Sequence, residues 1–140
     1  MNTNPSPARL LLVDDDHEML KALTFALRQA GYEVAASSDA LSAIHLIQTT
    51  TTPFNLVITD VSMPGMKGIQ LLTILKTAVP ATPVILITAF GDWGQYAVAL
   101  REGAFEYLTK PVNKAELLAS VRRALTGAPP RPATPPFEPN

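Results

Sequence analysis

Four stretches of this chain end in side chains that can handle a phosphoryl group or a metal ion. Asp14, Asp15 and Asp16 follow Leu10 to Val13, and Asp60 follows Leu56 to Thr59. Thr88 closes the run from Val84, and Lys110 with Pro111 comes just after Phe105 to Leu108. Carboxylates crowded into one crevice repel each other and cannot all stay ionised without shared protons or a bound cation. An all-oxygen set with few protein ligands suits Mg²⁺, which keeps several waters and takes one or two carboxylates. Mn²⁺ accepts the same hard ligands. A carboxylate is also a nucleophile, able to form an aspartyl phosphate. Phosphoryl transfer asks chiefly for in-line positioning and charge neutralisation. A cation, an ammonium and a hydroxyl around one carboxylate supply both. Taken singly, each acid has a plainer use, since Asp15 or Asp16 can cap a helix that begins at His17. Only the combined set points to chemistry.

These residues meet only if the segments between them bring them to one end of a sheet. The apolar runs Leu10–Val13, Tyr32–Ala36, Leu56–Thr59, Val84–Thr88 and Phe105–Leu108 have strand lengths. Several are apolar at nearly every position, as parallel strands covered on both faces are. Helical spacing follows each run: Leu20, Leu23 and Leu27; then Ala40, Ala43, Ile44 and Ile47; then Ile69, Leu72 and Leu75; more weakly Ala97 and Leu100; and last Leu117, Leu118, Val121 and Leu125. Gly31 and Gly103 are placed to stop helices, and Pro80 and Pro83 bracket the entry to the fourth strand. Strict alternation predicts a doubly wound α/β fold, a five-stranded parallel sheet with five helices. In such sheets the functional crevice lies outside the carboxyl ends of the strands, where the chemistry-bearing residues sit.

Length and composition bound the rest. A chain of 140 residues, 47% of them apolar, suits one globular domain. There is no cysteine, which excludes disulfides, thiolate metal sites and a cysteine nucleophile. Eleven basic against twelve acidic residues give a net charge of −1, so neither nucleic acid nor an anionic membrane is an expected partner. No apolar run reaches the roughly 18 residues of a membrane span. The start lacks a signal-peptide pattern, so a cytoplasmic location is expected. Six prolines in the last 13 residues mark residues 128–140 as a tail or linker. Residues 1–7 are expected to be a disordered lead, and residues 8–127 the folded unit.

Four segments together give a resemblance: LLVDDD at 11–16, LVITDVSMPGMKG at 56–68, VILITAFGD at 84–92 and GAFEYLTKP at 103–111. In order and on these elements, they resemble the receiver domain of bacterial two-component response regulators, over about Arg9 to Leu125. The resemblance implies a flavodoxin-like strand order 2-1-3-4-5. It implies that Asp60 is the phosphoacceptor, and that Asp14 and Asp15 join it in holding Mg²⁺, with the backbone carbonyl of Ser62 completing the set. It makes Thr88 the switch hydroxyl, Lys110 the lysine that pairs with the acids or the phosphoryl group, and Tyr107 the aromatic that turns inward. It implies a cis Lys110–Pro111 bond. The implied partners are a sensor histidine kinase or phosphotransfer protein, and an effector or output protein on the face of the fourth helix, fifth strand and fifth helix. A phosphorylation-linked homodimer on that face is left open, and so is the output, with TAFGD at 88–92 a hint of transcription control.

Some residues depart from the pattern or invite other readings. Lys67 stands where relatives often carry Asp or Asn, and reads as a solvated loop lysine. Asp16 stands where glutamate is common. Phe90 could shield an acyl phosphate, and Trp93 and Tyr96 either pack or anchor a partner. His17 and His45 lack companions for a metal site. Two rival functions carry the same acids. One is a Mg²⁺-dependent aspartyl-phosphate phosphohydrolase; it needs an acid where Ser62 stands and a cap for which there is no room. The other is a degenerate receiver acting as a constitutive binding module, against which every required residue is present.

Overall fold

The computed structural model describes residues 7–61, 68–89 and 101–131. In chain order the elements are β1 (Arg9–Val13), α1 (His17–Gln29), β2 (Glu33–Ser37), α2 (Ala40–Thr49), β3 (Leu56–Asp60), α3 (Gly68–Ala78), β4 (Val84–Ala89), β5 (Glu106–Lys110) and α4 (Lys114–Thr126). Here α4 is the last of the five predicted helices. The one expected around Ala97 and Leu100 lies outside the described residues, as do Ser62, Gly65, Lys67, Phe90, Trp93 and Tyr96.

All strand pairings are parallel, in the order β2-β1-β3-β4-β5. This is the flavodoxin-like arrangement, with four helices among the described residues. The central strands are buried on both faces: Leu10–Val13 and Leu56–Asp60 are buried throughout. On the edge strand β2 Val34 and Ser37 are buried, Ala35 is half-buried, and Glu33 and Ala36 are exposed. Period-two alternation sorts the strand residues into two cores. Leu11, Val13, Val57 and Leu86 pack with Ala40 and Ala43 of α2 and Leu71, Leu72 and Leu75 of α3. Leu10, Leu12, Leu56, Ile58, Ile85, Ile87 and Leu108 pack with Leu23 and Leu27 of α1 and Leu117 and Val121 of α4.

Caps set where the helices begin and end. Asp16, not Asp15, caps α1, accepting from the Glu18 and Met19 amides at 3.1 and 3.2 Å. Asp39 and Asn113 do the same for α2 and α4. The chain leaves α1 through Gly31 at φ +100, where the Gly31 amide donates to Arg28 O and the Tyr32 amide to Leu27 O. That left-handed exit favours glycine and satisfies two terminal carbonyls.

All five strands differ from expectation at an end: β1, β3 and β4 each gain one residue, Arg9, Asp60 and Ala89, and the other two shift. The second strand runs Glu33–Ser37 instead of Tyr32–Ala36, and the fifth runs Glu106–Lys110 instead of Phe105–Leu108. Strand ends follow pairing, not apolarity: Thr109 and Lys110 are polar but stand opposite Thr88 and Ala89. Residues 128–131 turn back onto β5, with the Arg131 amide donating to Glu106 Oε2 at 2.9 Å.

Leu12→Ala removes a fully buried side chain from the α1/α4 core. It is expected to lower the unfolding free energy by about 2–5 kcal/mol. Leu41→Ala, at a 71%-exposed position, should change it by no more than about 0.5 kcal/mol. Urea titration of the two variants checks both.

Candidate functional site

The register explains why the acids meet. Val13 of β1 stands opposite Thr59 of β3, so the next residues, Asp14 and Asp60, leave the sheet side by side. This is where the strand order reverses, and a crevice opens there in doubly wound sheets. Asp14, Asp15 and Asp60 each offer a carboxylate oxygen within 4.8 Å of the others. Asp14 and Asp60 are buried and Asp15 is half-buried. Asp16 faces solvent, committed to the α1 cap.

Lys110 answers these charges from two strands away. It ends β5, and Asp60 ends β3, with β4 between. Two inter-strand spacings are about 10 Å. The four-carbon stem of lysine crosses most of that distance while keeping its charge at the tip. Lys110 Nζ donates to Asp60 Oδ2 at 3.0 Å and lies 3.7 Å from Asp14 Oδ2. Burial alone would lower its pKa, but the bond to Asp60 and the charges of Asp60, Asp14 and Asp16 outweigh this and raise it. Lys110 therefore stays an ammonium. The Lys110–Pro111 peptide is cis.

Asp14 is the uncomfortable member. Its Oδ1 accepts from the Asp16 amide at 2.9 Å, while its Oδ2 is buried without a hydrogen-bond partner. At 3.7 Å Lys110 lends charge but not a hydrogen bond. Burial above all, with Asp60 adding repulsion, raises the Asp14 pKa to about 6, against the lowering pull of the Asp16 amide and Lys110. An orphaned buried carboxylate oxygen beside two further carboxylates fits a hard divalent cation such as Mg²⁺. Asp14, Asp15 and Asp60 are the residues that would hold it.

Thr88 lies buried at the carboxyl end of β4, one residue beyond the Ile87 that faces Asp60 across β3–β4. By strand alternation Thr88 shares a sheet face with Leu86, whose register partner on β5 is Tyr107. Thr88 and Tyr107 are thus diagonal neighbours on one face. The Tyr107 ring is 3% exposed and packs in the α2/α3 core.

The sequence reading passed over a second buried charge. Glu106 lies inside a run taken as apolar, yet it is 3% exposed. Alternation aims it, with Leu108, toward α4. There its carboxylate accepts from Ser120 Oγ at 2.8 Å and from Arg123 through two nitrogens at 2.6 and 2.8 Å. Burial would raise its pKa, but these bonds and the one from the Arg131 amide outweigh it and lower the value. An acid inside an otherwise apolar strand, with arginines on the next helix, is the sequence signal for such a pair.

Over residues 10–122 the chain matches the family model described as response regulator receiver domain. FleR, a response regulator protein of Pseudomonas aeruginosa, is 41% identical over 120 residues, covering 86% of this chain and 25% of that protein. GlrR, a transcriptional regulatory protein of Escherichia coli K12, is 37% identical over 119 residues, covering 85% and 26%. This chain spans about a quarter of the length of these curated relatives. A solved response regulator receiver domain protein of Clostridium thermocellum superposes with a TM-score of 0.82 at 32% identity, covering 86% of this chain and 95% of that one.

The raised Asp14 pKa fixes a pH dependence. An acid that holds its proton more tightly folded than unfolded favours the folded state at low pH. That contribution is present below the unfolded value near 3.8 and is lost as pH rises through about 6. Without divalent cations, unfolding free energy should fall across this window by roughly 2 kcal/mol, at about 1.4 kcal/mol per pKa unit. Asp14→Asn should flatten the fall. Urea unfolding from pH 4 to pH 7 in chelator measures it.

Proposed function

Because this chain belongs to the response regulator receiver domain family, we propose that it takes a phosphoryl group onto Asp60 and acts as a signalling switch. The observation that carries this reading is the ammonium of Lys110, 3.0 Å from Asp60 and 3.7 Å from Asp14, beside three carboxylates clustered at the strand ends. The donor is a phosphohistidine on a sensor kinase or phosphotransfer protein. An Asp60 oxygen forms the new bond to phosphorus as the P–N bond breaks, and the departing imidazole keeps the electron pair. Mg²⁺, held by Asp14, Asp15 and Asp60, with the carbonyl of Ser62 as a further ligand, would supply positive charge to the transferring oxygens; Mn²⁺ would serve as well. Lys110 neutralises the charge that develops on the same group. Water later hydrolyses the acyl phosphate and returns Asp60.

The product adds up to two negative charges next to Lys110 and within reach of the Thr88 strand end. Thr88 moves to donate its hydroxyl to the new oxygens, and Tyr107, its diagonal neighbour, turns into the space it leaves. The charge thus selects one packing of β4 and β5 from two. The face that includes β5 and α4 carries the change to an output, through an effector or a second copy of this chain. The relatives' names make transcription control the favoured output, within a longer regulator. Catalysis stops at transfer to and loss from Asp60, with no external substrate turned over.

Incubation with acetyl phosphate and Mg²⁺ should add one phosphoryl group, read by intact mass. Asp60→Ala or a chelator should abolish the adduct. Steady turnover of a generic phosphoester would instead favour the phosphohydrolase. A folded protein that neither gains the adduct nor binds beryllofluoride would be a binding module.

A further inference from the structure

Among the described residues β5 lies at the edge of the sheet, with β4 as its one strand neighbour. An edge strand presents unpaired backbone groups along its outer side. Here the chain that leaves α4 reaches that side. The Ala128 amide donates to Arg123 O at 3.1 Å, which closes the helix. Three residues on, the Arg131 amide donates to Glu106 Oε2 at 2.9 Å, and the Arg131 guanidinium donates to the Tyr107 carbonyl at 3.1 Å. Between the two anchors stand Pro129 and Pro130. Proline fixes φ and has little freedom to lose, so a Pro-Pro segment spans two anchors at low entropic cost.

The Glu106 carboxylate is prepared for this contact. Its Oε1 accepts from Ser120 and Arg123, and its Oε2 from Arg123 and the Arg131 amide. Two oxygens accept four hydrogen bonds, which fills their capacity. Removing the Arg131 amide would leave one site of a buried charge without its donor, and that is costly.

We propose that Ala128–Arg131 is a strap docked on the outer edge of β5, and that its docking is coupled through that strand to the charge at Asp60. The output signal then leaves through the chain that follows Arg131 as well as through an exposed face. β5 is five residues long and carries both ends of the connection. Lys110 pairs with Asp60, while Glu106 and the Tyr107 carbonyl hold the strap. The carbonyl that accepts from the Arg131 guanidinium belongs to Tyr107, whose side chain packs in the α2/α3 core, so a shift of that residue reaches the strap directly. Coupling is reciprocal: a strap held more firmly raises the affinity of the site for a phosphoryl group. The input to this coupling rests on the receiver function proposed above.

The test uses nitrogen-15 NMR on the full 140-residue chain. In the wild type, exchange of the Arg131 amide should be at least about tenfold slower than in a free peptide, and Arg131→Ala should speed it. Adding Mg²⁺ and beryllofluoride, a phosphoryl mimic, should shift the Thr88 and Lys110 resonances and slow the Arg131 amide further. Arg131→Ala should weaken beryllofluoride binding by about fivefold, the lower end of typical couplings. A wild-type Arg131 amide that exchanges at the free-peptide rate overturns the strap. Shifts at Thr88 and Lys110 with an unchanged Arg131 amide, and equal beryllofluoride affinity in Arg131→Ala, overturn the coupling alone. No shift at Thr88 or Lys110 overturns the receiver reading, and with it the coupling that takes its input there.

Discussion

Everything at the working end of this domain depends on one constraint. Two buried carboxylates, Asp14 and Asp60, leave adjacent strands side by side and cannot both stay ionised unaided. Lys110 supplies part of the answer by bonding Asp60 directly. It stands too far from Asp14 to bond it, and Asp14 keeps one oxygen without a hydrogen bond. That residual imbalance suits a hard divalent cation. The Lys110–Asp60 pair also puts the end of β5 in direct electrostatic contact with Asp60.

The other buried acid shows the contrast. Glu106 has four hydrogen bonds to its two oxygens, including a bidentate pair from Arg123. A bidentate guanidinium–carboxylate pair is both strong and geometrically demanding. Glu106 thus pins α4 and the start of the tail to one end of β5, while the other end faces an unsatisfied charge cluster. A short strand fixed at one end and electrostatically poised at the other is suited to passing a local change along the sheet. The two cores on either face are close-packed, and such interiors do not deform freely.

Much of this was legible from residue types and spacing. The alternating apolar runs and helical stripes announced five strands and their flanking helices, because a parallel strand covered on both faces must be apolar throughout. Acids and a lysine at the ends of those runs announced the site, because polar groups there have no reason to be in the core. Less legible were features that depend on a partner far along the chain. Glu106 looked like a lapse in an apolar strand until Ser120 and Arg123 were seen facing it. Nothing local in the proline-rich segment tells that the Arg131 amide meets Glu106. The fifth strand was cut short because its last two residues are polar, although pairing to β4 makes them strand.

Sequence alone therefore determined the class of fold and the strand-end location of the acids and the lysine that the structure brings together. Those follow from periodicity and from the few residue types able to do phosphoryl chemistry, both local properties of the chain. Tertiary structure decided which acid keeps an unbonded oxygen, which is paired, and where residues 128–131 lie. Asp14 and Asp60 are both aspartates after apolar strands. Only the position of Lys110, one strand beyond β4, gives Asp60 a hydrogen bond and leaves Asp14 Oδ2 without one. Distances of a few tenths of an ångström settle that difference, and they are set by register and packing across the whole sheet.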